Sequence, residues 1–296
     1  MLKEIRDFIL HLRLHYQFFI LSGGYLLGGL MANEMDTVQF WLQFLNVHIL
    51  LFGGATAFNS YWDKDEGPIG GLKNPPEMTP WMQKVSLLFM FAGWIWAWSI
   101  SLPYGLIYGL SFLLFWLYST PLARWKGHPI LSLFAIAIST GLNSVLLGYW
   151  AAGGFYSLSI LITAAGASLI LVSLYPVSQI YQVVEDTRRG DETFTKRYGL
   201  DSVKTFFRFS YLSGLILLVS GLYLVYQIPA VVLFITALLS FVMLQSFVSE
   251  LTGTEQEYPM VMKIKFAASL SFVLFLLGAN AVRYEWIGDT FLRMYF

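Results

Sequence analysis

The chain has 296 residues, of which 57% are hydrophobic and 12% charged, with a formal net charge of zero and a mean hydropathy of +0.62. That balance excludes an ordinary water-soluble domain, and the lack of an extended basic surface excludes nucleic acid as a partner. With no cysteine in the sequence, disulfides, thiolate metal sites, thioether-linked haem and cysteine nucleophiles are excluded too.

In chain order, residues 1–16 form a polar, amphipathic stretch carrying Lys3, Glu4, Arg6, Asp7, His11 and Arg13. It lacks the apolar core and small-residue site of a cleaved leader, so the first span is expected to be retained. Apolar runs then predict helices over about 16–32, 38–58, 84–100, 102–120, 129–149, 155–178, 203–223, 229–248 and 264–283. Each approaches the roughly 20 residues that cross about 30 Å of hydrocarbon. Runs this long, rich in Leu, Phe, Ala and Gly, predict an all-α membrane bundle; barrel strands would alternate over about ten residues. The Gly23-Gly24, Gly28-Gly29 and Gly53-Gly54 pairs are expected where helices pack closely. The long polar connections are 59–83, 179–202 and 249–261.

With the N-terminus placed in the cytoplasm, every Lys and Arg except Arg283 and Arg293 falls on the cytoplasmic side. That bias supports an odd number of crossings and suits an integral protein of a bacterial inner membrane, in contact with anionic lipid headgroups.

Two of the polar connections carry chemistry. Directly after the second span comes Asn59-Ser-Tyr-Trp-Asp63-Lys-Asp65-Glu66-Gly-Pro. If that helix continues a turn past the hydrocarbon, Asn59 and Asp63 are i,i+4 neighbours, with Glu66 one turn further. Carboxylates and amide carbonyls are ligands for Mg²⁺, a hard cation that bridges protein oxygens to phosphates. The sixth span is followed by Gln179-Ile-Tyr181-Gln182-Val-Val-Glu185-Asp186-Thr-Arg-Arg-Gly190-Asp191, where Gln182 and Asp186 repeat the spacing. Two such faces can hold Mg²⁺ around one diphosphate, with Lys73, Arg124, Lys126, Arg188, Arg189, Lys196 and Arg197 as candidate counter-cations.

On these residues the sequence resembles the UbiA superfamily of intramembrane prenyltransferases. That family has nine membrane helices, an Asn-Asp-x-x-Asp-x-x-x-Asp motif after helix two and an Asp-x-x-x-Asp motif after helix six. Its leading Asn falls on Asn59 and its middle Asp on Asp63; Ser60 and Gly67 stand where it has Asp, with Asp65 and Glu66 as shifted carboxylates. In the second motif its later Asp, Gly and Thr fall on Asp186, Gly190 and Thr193, its earlier Asp on Gln182, and Asp191 adds a carboxylate. A third stretch, Tyr118-Ser119-Thr120-Pro121-Leu-Ala-Arg124-Trp-Lys126, matches the family's Tyr-Ser/Thr-x-Pro run with its basic residues.

The resemblance implies a single nine-helix domain over residues 1–296 and transfer of a prenyl group from an allylic diphosphate to a hydrophobic or membrane-associated acceptor. It implies Mg²⁺ held among Asn59, Asp63, Asp65, Glu66, Gln182, Asp186 and Asp191. Asn59, Asp63, Glu66, Asp186 and Asp191 are then the expected catalytic groups. Lys73, Tyr118, Arg124, Lys126, Gln182 and Lys196 are expected to contact the diphosphate, and the 68–80 connection to cover the mouth. Tyr61, Trp62, Tyr118, Tyr175 and Tyr181 are candidate carbocation neighbours. A cyclase of the same architecture, which needs no acceptor, and a cation or solute transporter are the competing readings. Acidic groups gathered at one membrane face, not at mid-depth, favour diphosphate chemistry over transport.

Two isolated polar residues are read more plainly. His48, inside the second span, is expected to satisfy a backbone carbonyl, and Asn143 to face the cavity or join two helices.

Overall fold

A computed structural model describes residues 2–64 and 67–286. Among them the only pairing outside helices and turns is an antiparallel bridge between Ile69 and Leu72. The helices are α1 (Leu2–His11), α2 (14–31), α3 (Thr37–Asp63), α4 (Pro80–Ala97), α5 (Leu102–Ser119) and α6 (Pro129–Ala151). After these come α7 (Leu158–Val177), α8 (Val183–Arg189), α9 (Phe194–Tyr226), α10 (Ile228–Glu250) and α11 (Tyr258–Arg283).

Seven helical stretches among the described residues are long and apolar enough to cross a membrane: α3, α5, α6, α7 with α8, α9, α10 and α11 with its leading turn. The sequence predicts nine; α2 and α4 occupy the positions expected for the other two. Arg293, which entered the charge count, lies outside the described residues.

The ends of successive long helices alternate between two rims. At one rim Asp36 N donates to Ala152 O at 3.3 Å, Gln39 Nε2 to Ala151 O at 2.9 Å and Arg283 Nη2 to Ala32 O at 2.7 Å. At the other, Lys204 Nζ donates to Ser249 O at 2.8 Å and Glu192 N to Gly127 O at 2.9 Å.

Close approach of backbones holds the centre. Gly28 of α2 lies against the backbone of Val145 and Tyr149 in α6, and a side chain there would have no room. In a bundle without a hydrophobic drive between helices, such contacts are what packing energy has to work with. The central cluster is aromatic and aliphatic, with Tyr25, Phe40, Leu51, Phe52 and Tyr108 fully buried. His48 sits in it, its Nδ1 2.7 Å from Phe44 O, as expected. Asn143 joins α6 to α5, donating to Ser111 Oγ at 2.8 Å.

By contrast α10 is the loosest element: only Ala230, Leu244 and Val248 of its side chains are buried. Three helices widen into π-turns, at Gln17–Leu21, Asn46–Gly53 and Ala137–Leu142. Such widenings recur at functional sites, and all three contribute to the wall of the cavity described next, through Leu21, Phe52 and Gly141 among others.

Candidate active site

The polar rim is built where four helices end. α3 does run past its apolar part to Asp63, and closes on Lys64 in the left-handed region at φ 50°. That extra turn puts Asn59 and Asp63 on one face, with Asn59 Nδ2 donating to Asp63 Oδ2 at 2.6 Å. Ser119, the last residue of α5, donates its hydroxyl to Asn59 Oδ1 at 3.1 Å and fixes the amide. Lys126 places its ammonium 2.5 Å from Asp63 Oδ1, with both side chains nearly enclosed, at 11% and 2% exposure. It lies close enough to act electrostatically on Asp186 as well, so one cation joins the two acidic segments.

The second segment is bent into place by local sequence. Pro176 cannot continue the hydrogen-bond ladder of α7; the chain passes through a single 3₁₀ turn, Ile180–Gln182, and restarts as α8. Gly190 ends α8 at φ 76°, a conformation that glycine adopts without the Cβ penalty. The turn folds Thr193 back so that its hydroxyl donates to Asp186 Oδ2 at 3.0 Å. Because α8 begins after Gln182, Gln182 and Asp186 are not partners on one continuous helix, yet both side chains face the same cavity.

That cavity measures about 1010 Å³. Asn59, Ser119, Lys126, Gln182, Asp186 and Thr193 line its polar end. Tyr118 and Tyr175 follow, their hydroxyls 2.8 Å apart. Beyond them the wall is mostly apolar, with Phe52, Phe115, Leu174, Val232 and Phe272 in it. Gln179, also in the wall, has a buried Oε1 without a hydrogen-bond partner.

Other expected residues stand elsewhere. Asp191 is not in the cavity wall; Arg124 Nε and Nη2 grip its carboxylate at 2.7 and 2.9 Å. Burial works against the Arg124 charge, but Asp191 outweighs it and holds the guanidinium pKa above its ordinary value. Lys196 donates to Asp191 O at 2.9 Å and pairs with Glu192 at 3.0 Å. Lys73 is exposed, Tyr61 and Trp62 are outside the wall, and Asp65 and Glu66 lie outside the described residues. The 68–80 segment does lie at the mouth: Ile69 and Gly70 line the cavity, and Gly71 N donates to Tyr258 OH at 3.2 Å. His11 Nε2 lies 2.7 Å from Pro76 O. Burial lowers the His11 pKa, with the Pro76 contact opposing it.

The oxygens gathered here suit a hard cation. In the wall Asp186 offers a carboxylate and Asn59 and Gln182 amide carbonyls; Asp63 is not itself in the wall, its carboxylate being held by Asn59 and Lys126, which are. Among the described residues no group of three His, Cys, Asp or Glu side chains is poised for a metal ion. The donor set therefore fits an ion that keeps waters and takes further oxygens from a bound phosphate, the ordinary habit of Mg²⁺.

Two basic groups in the wall were not on the sequence-derived roster of diphosphate contacts. Arg13, at φ 50° between α1 and α2, donates to Ser60 Oγ at 2.7 Å. Lys265 comes from α11; the available signal was a lysine breaking an otherwise apolar run.

The family model described as the UbiA prenyltransferase family matches residues 19–270. Among solved structures, a UbiA homolog from Archaeoglobus fulgidus bound to DMAPP and Mg²⁺ has a TM-score of 0.74 at 14% identity, covering 93% of this chain and 99% of that one. The same homolog bound to GPP and Mg²⁺ has a TM-score of 0.71 at 13% identity, covering 92% and 99%. A structure of digeranylgeranylglyceryl phosphate synthase has a TM-score of 0.65 at 18% identity, covering 94% and 99%. At these identities the likeness establishes the fold. No curated protein matches the sequence.

Proposed function

The chain belongs to the UbiA prenyltransferase family, and from that premise we propose that it transfers a prenyl group from an allylic prenyl diphosphate to a membrane-associated acceptor, with Mg²⁺ as cofactor. The observation that carries this reading is one cavity whose polar end joins Asn59 and Lys126 to Gln182 and Asp186, and whose remainder is mostly apolar. A UbiA homolog of the same fold was solved both with DMAPP and Mg²⁺ and with GPP and Mg²⁺.

Asp63, Asp186, Asn59 and Gln182 would hold the metal, which supplies charge neutralisation of the diphosphate. Ser119 keeps the Asn59 amide turned, and Thr193 keeps Asp186 turned. Lys126, between the two carboxylates, donates hydrogen bonds to the departing diphosphate as the allylic C–O bond breaks and its electron pair leaves with oxygen. The rings of Tyr118 and Tyr175 border the space where the allylic cation forms, and their faces favour positive charge. The apolar wall keeps water from that cation until a nucleophilic atom of the acceptor bonds to it and loses a proton.

The same reading takes the chain as one domain with nine crossings, its N-terminus and cavity mouth cytoplasmic, in a bacterial inner membrane. The one-sided distribution of Lys and Arg supports that orientation.

Purified protein in lipid, given C5 to C20 allylic diphosphates with pooled membrane lipids, should release pyrophosphate with Mg²⁺ and not with chelator. The organic phase should contain a prenylated lipid. Release without any acceptor, with a cyclic hydrocarbon or terpene alcohol as product, would replace transfer by cyclisation; no release under either condition would sink both.

A further inference from the structure

We propose that Lys265 and Tyr16 form an anion-binding pole in this cavity, which receives the phosphate or carboxylate head of the acceptor; the proposal rests on the prenyl-transfer reading. Lys265 lies seven residues after Tyr258, the first residue of α11, or about 10 Å along the axis at 1.5 Å per residue. It is thus well inside a stretch apolar enough to cross a membrane. There an ionisable side chain is costly unless a polar cavity or a partner receives it.

Lys263, two residues earlier, shows the lipid-facing alternative: it is exposed, with its ammonium 5.5 Å from the centre of the Phe247 ring. Lys265 turns inward and lines the cavity instead. Its Nζ donates to Tyr16 OH at 2.5 Å and stands 5.0 Å from the centre of the same ring. A neutral phenol occupies one of three N–H donors and leaves the charge uncancelled. Among the described residues no carboxylate pairs with Lys265, whereas Lys126 is matched by Asp63.

An anionic head supplies the missing charge. It takes a charge-assisted hydrogen bond from Lys265, and Tyr16, whose oxygen accepts from the lysine, still carries an O–H to donate. Space permits a second molecule, since about 1010 Å³ stands at the top of the ~300–1,000 Å³ that houses one drug-sized ligand.

The test uses the full chain in detergent, saturated with Mg²⁺ and geranylgeranyl thiodiphosphate, a donor analogue that does not ionise, so that the diphosphate end is filled. Dodecyl phosphate, dodecanoate and dodecanol are then titrated by tryptophan fluorescence. At least one anionic probe should bind about tenfold or more tighter than dodecanol. K265M should erase that preference with the Kd for the donor analogue unchanged within about twofold, and K265R should keep most of it. If K265M does not fold, Y16F, which deletes one O–H, should cut the preference about three- to fivefold. Equal binding of the three probes overturns the proposal, as does a K265M variant that loses the donor analogue as severely as the anions. Failure of the unmodified protein to bind the donor analogue refutes the parent reading and this one together. Donor binding without anion preference refutes only the pole.

Discussion

Asp63 is held from two sides, by the Lys126 ammonium and by the Asn59 amide, so it is the residue on which the rim's charges balance. Replacing Lys126 by Met strips a buried carboxylate of its counter-charge, a change that costs about 3–5 kcal/mol where a buried pair is broken one-sidedly. The K126M midpoint in thermal unfolding should fall clearly, and its Mg²⁺-dependent pyrophosphate release should collapse with it. D186N is expected to behave differently: its carboxylate is held by a hydroxyl, so folding should persist while pyrophosphate release drops by about 10²-fold or more. Equal stability losses in the two variants would contradict this division. The i,i+4 relation of Asn59 and Asp63 was legible because both lie on one continuous helix. The partner of Asp191 was not legible: a pairing between residues 67 positions apart depends on which helix ends meet, so the sequence did not show that the Arg124 guanidinium clasps the Asp191 carboxylate.

Among the elements, the apolar cores of the helices could be read directly, and their ends could not. Within α9 the chain breaks at Gly199, at φ 79°, and the helix that carries the apolar part starts just after that break, ahead of residue 203, because a helix leaving hydrocarbon has no reason to stop where its hydrophobicity does. α11 likewise begins at Tyr258, with Pro259 at the head and a Thr254–Glu257 capping box before it, which moves Lys265 from a loop margin into the span. The turn at Gly190 offers a clean test of backbone strain. A Cβ added there would touch nothing within 4 Å, so G190A should cost about 1–2 kcal/mol through its left-handed φ alone. The loss is measurable as a shift in the unfolding midpoint.

The α1 contact with the covering segment is set to respond to pH. His11 is buried and its pKa is lowered, so the docked form favours the neutral ring. The contribution to docking is complete above the ordinary histidine pKa of about 6.5 and is lost as pH falls through the lowered value. A nitroxide on E77C should gain mobility on acidification below about 6.5, and the H11N background should remove that response.

For the whole molecule, the absence of cysteine makes topology directly measurable, since any introduced thiol is the only one. Leu122, between α5 and α6, and Phe155, between α6 and α7, are exposed at opposite ends of α6. In sealed vesicles an impermeant maleimide should reach L122C only from the side of the cavity mouth and F155C only from the other. Labelling of both from one side would refute the expected alternation. The bundle was legible from composition because seven of its helices are unambiguous by length and apolarity. The cavity was not, because its walls and its lipid-facing surfaces draw on the same Leu, Ile and Phe, and only packing separates them.

The sparse burial of α10 bears on how such a protein is saturated. Val232 and Met243 belong to the cavity wall, yet both are largely exposed, so the wall and the outer surface of the bundle meet along this helix. A substrate arriving along that seam is drawn from a two-dimensional film, and its effective concentration is a mole fraction among lipids. Turnover should then follow the ratio of prenyl substrate to phospholipid: adding empty lipid at constant aqueous volume should slow it, and diluting whole proteoliposomes into more buffer should not.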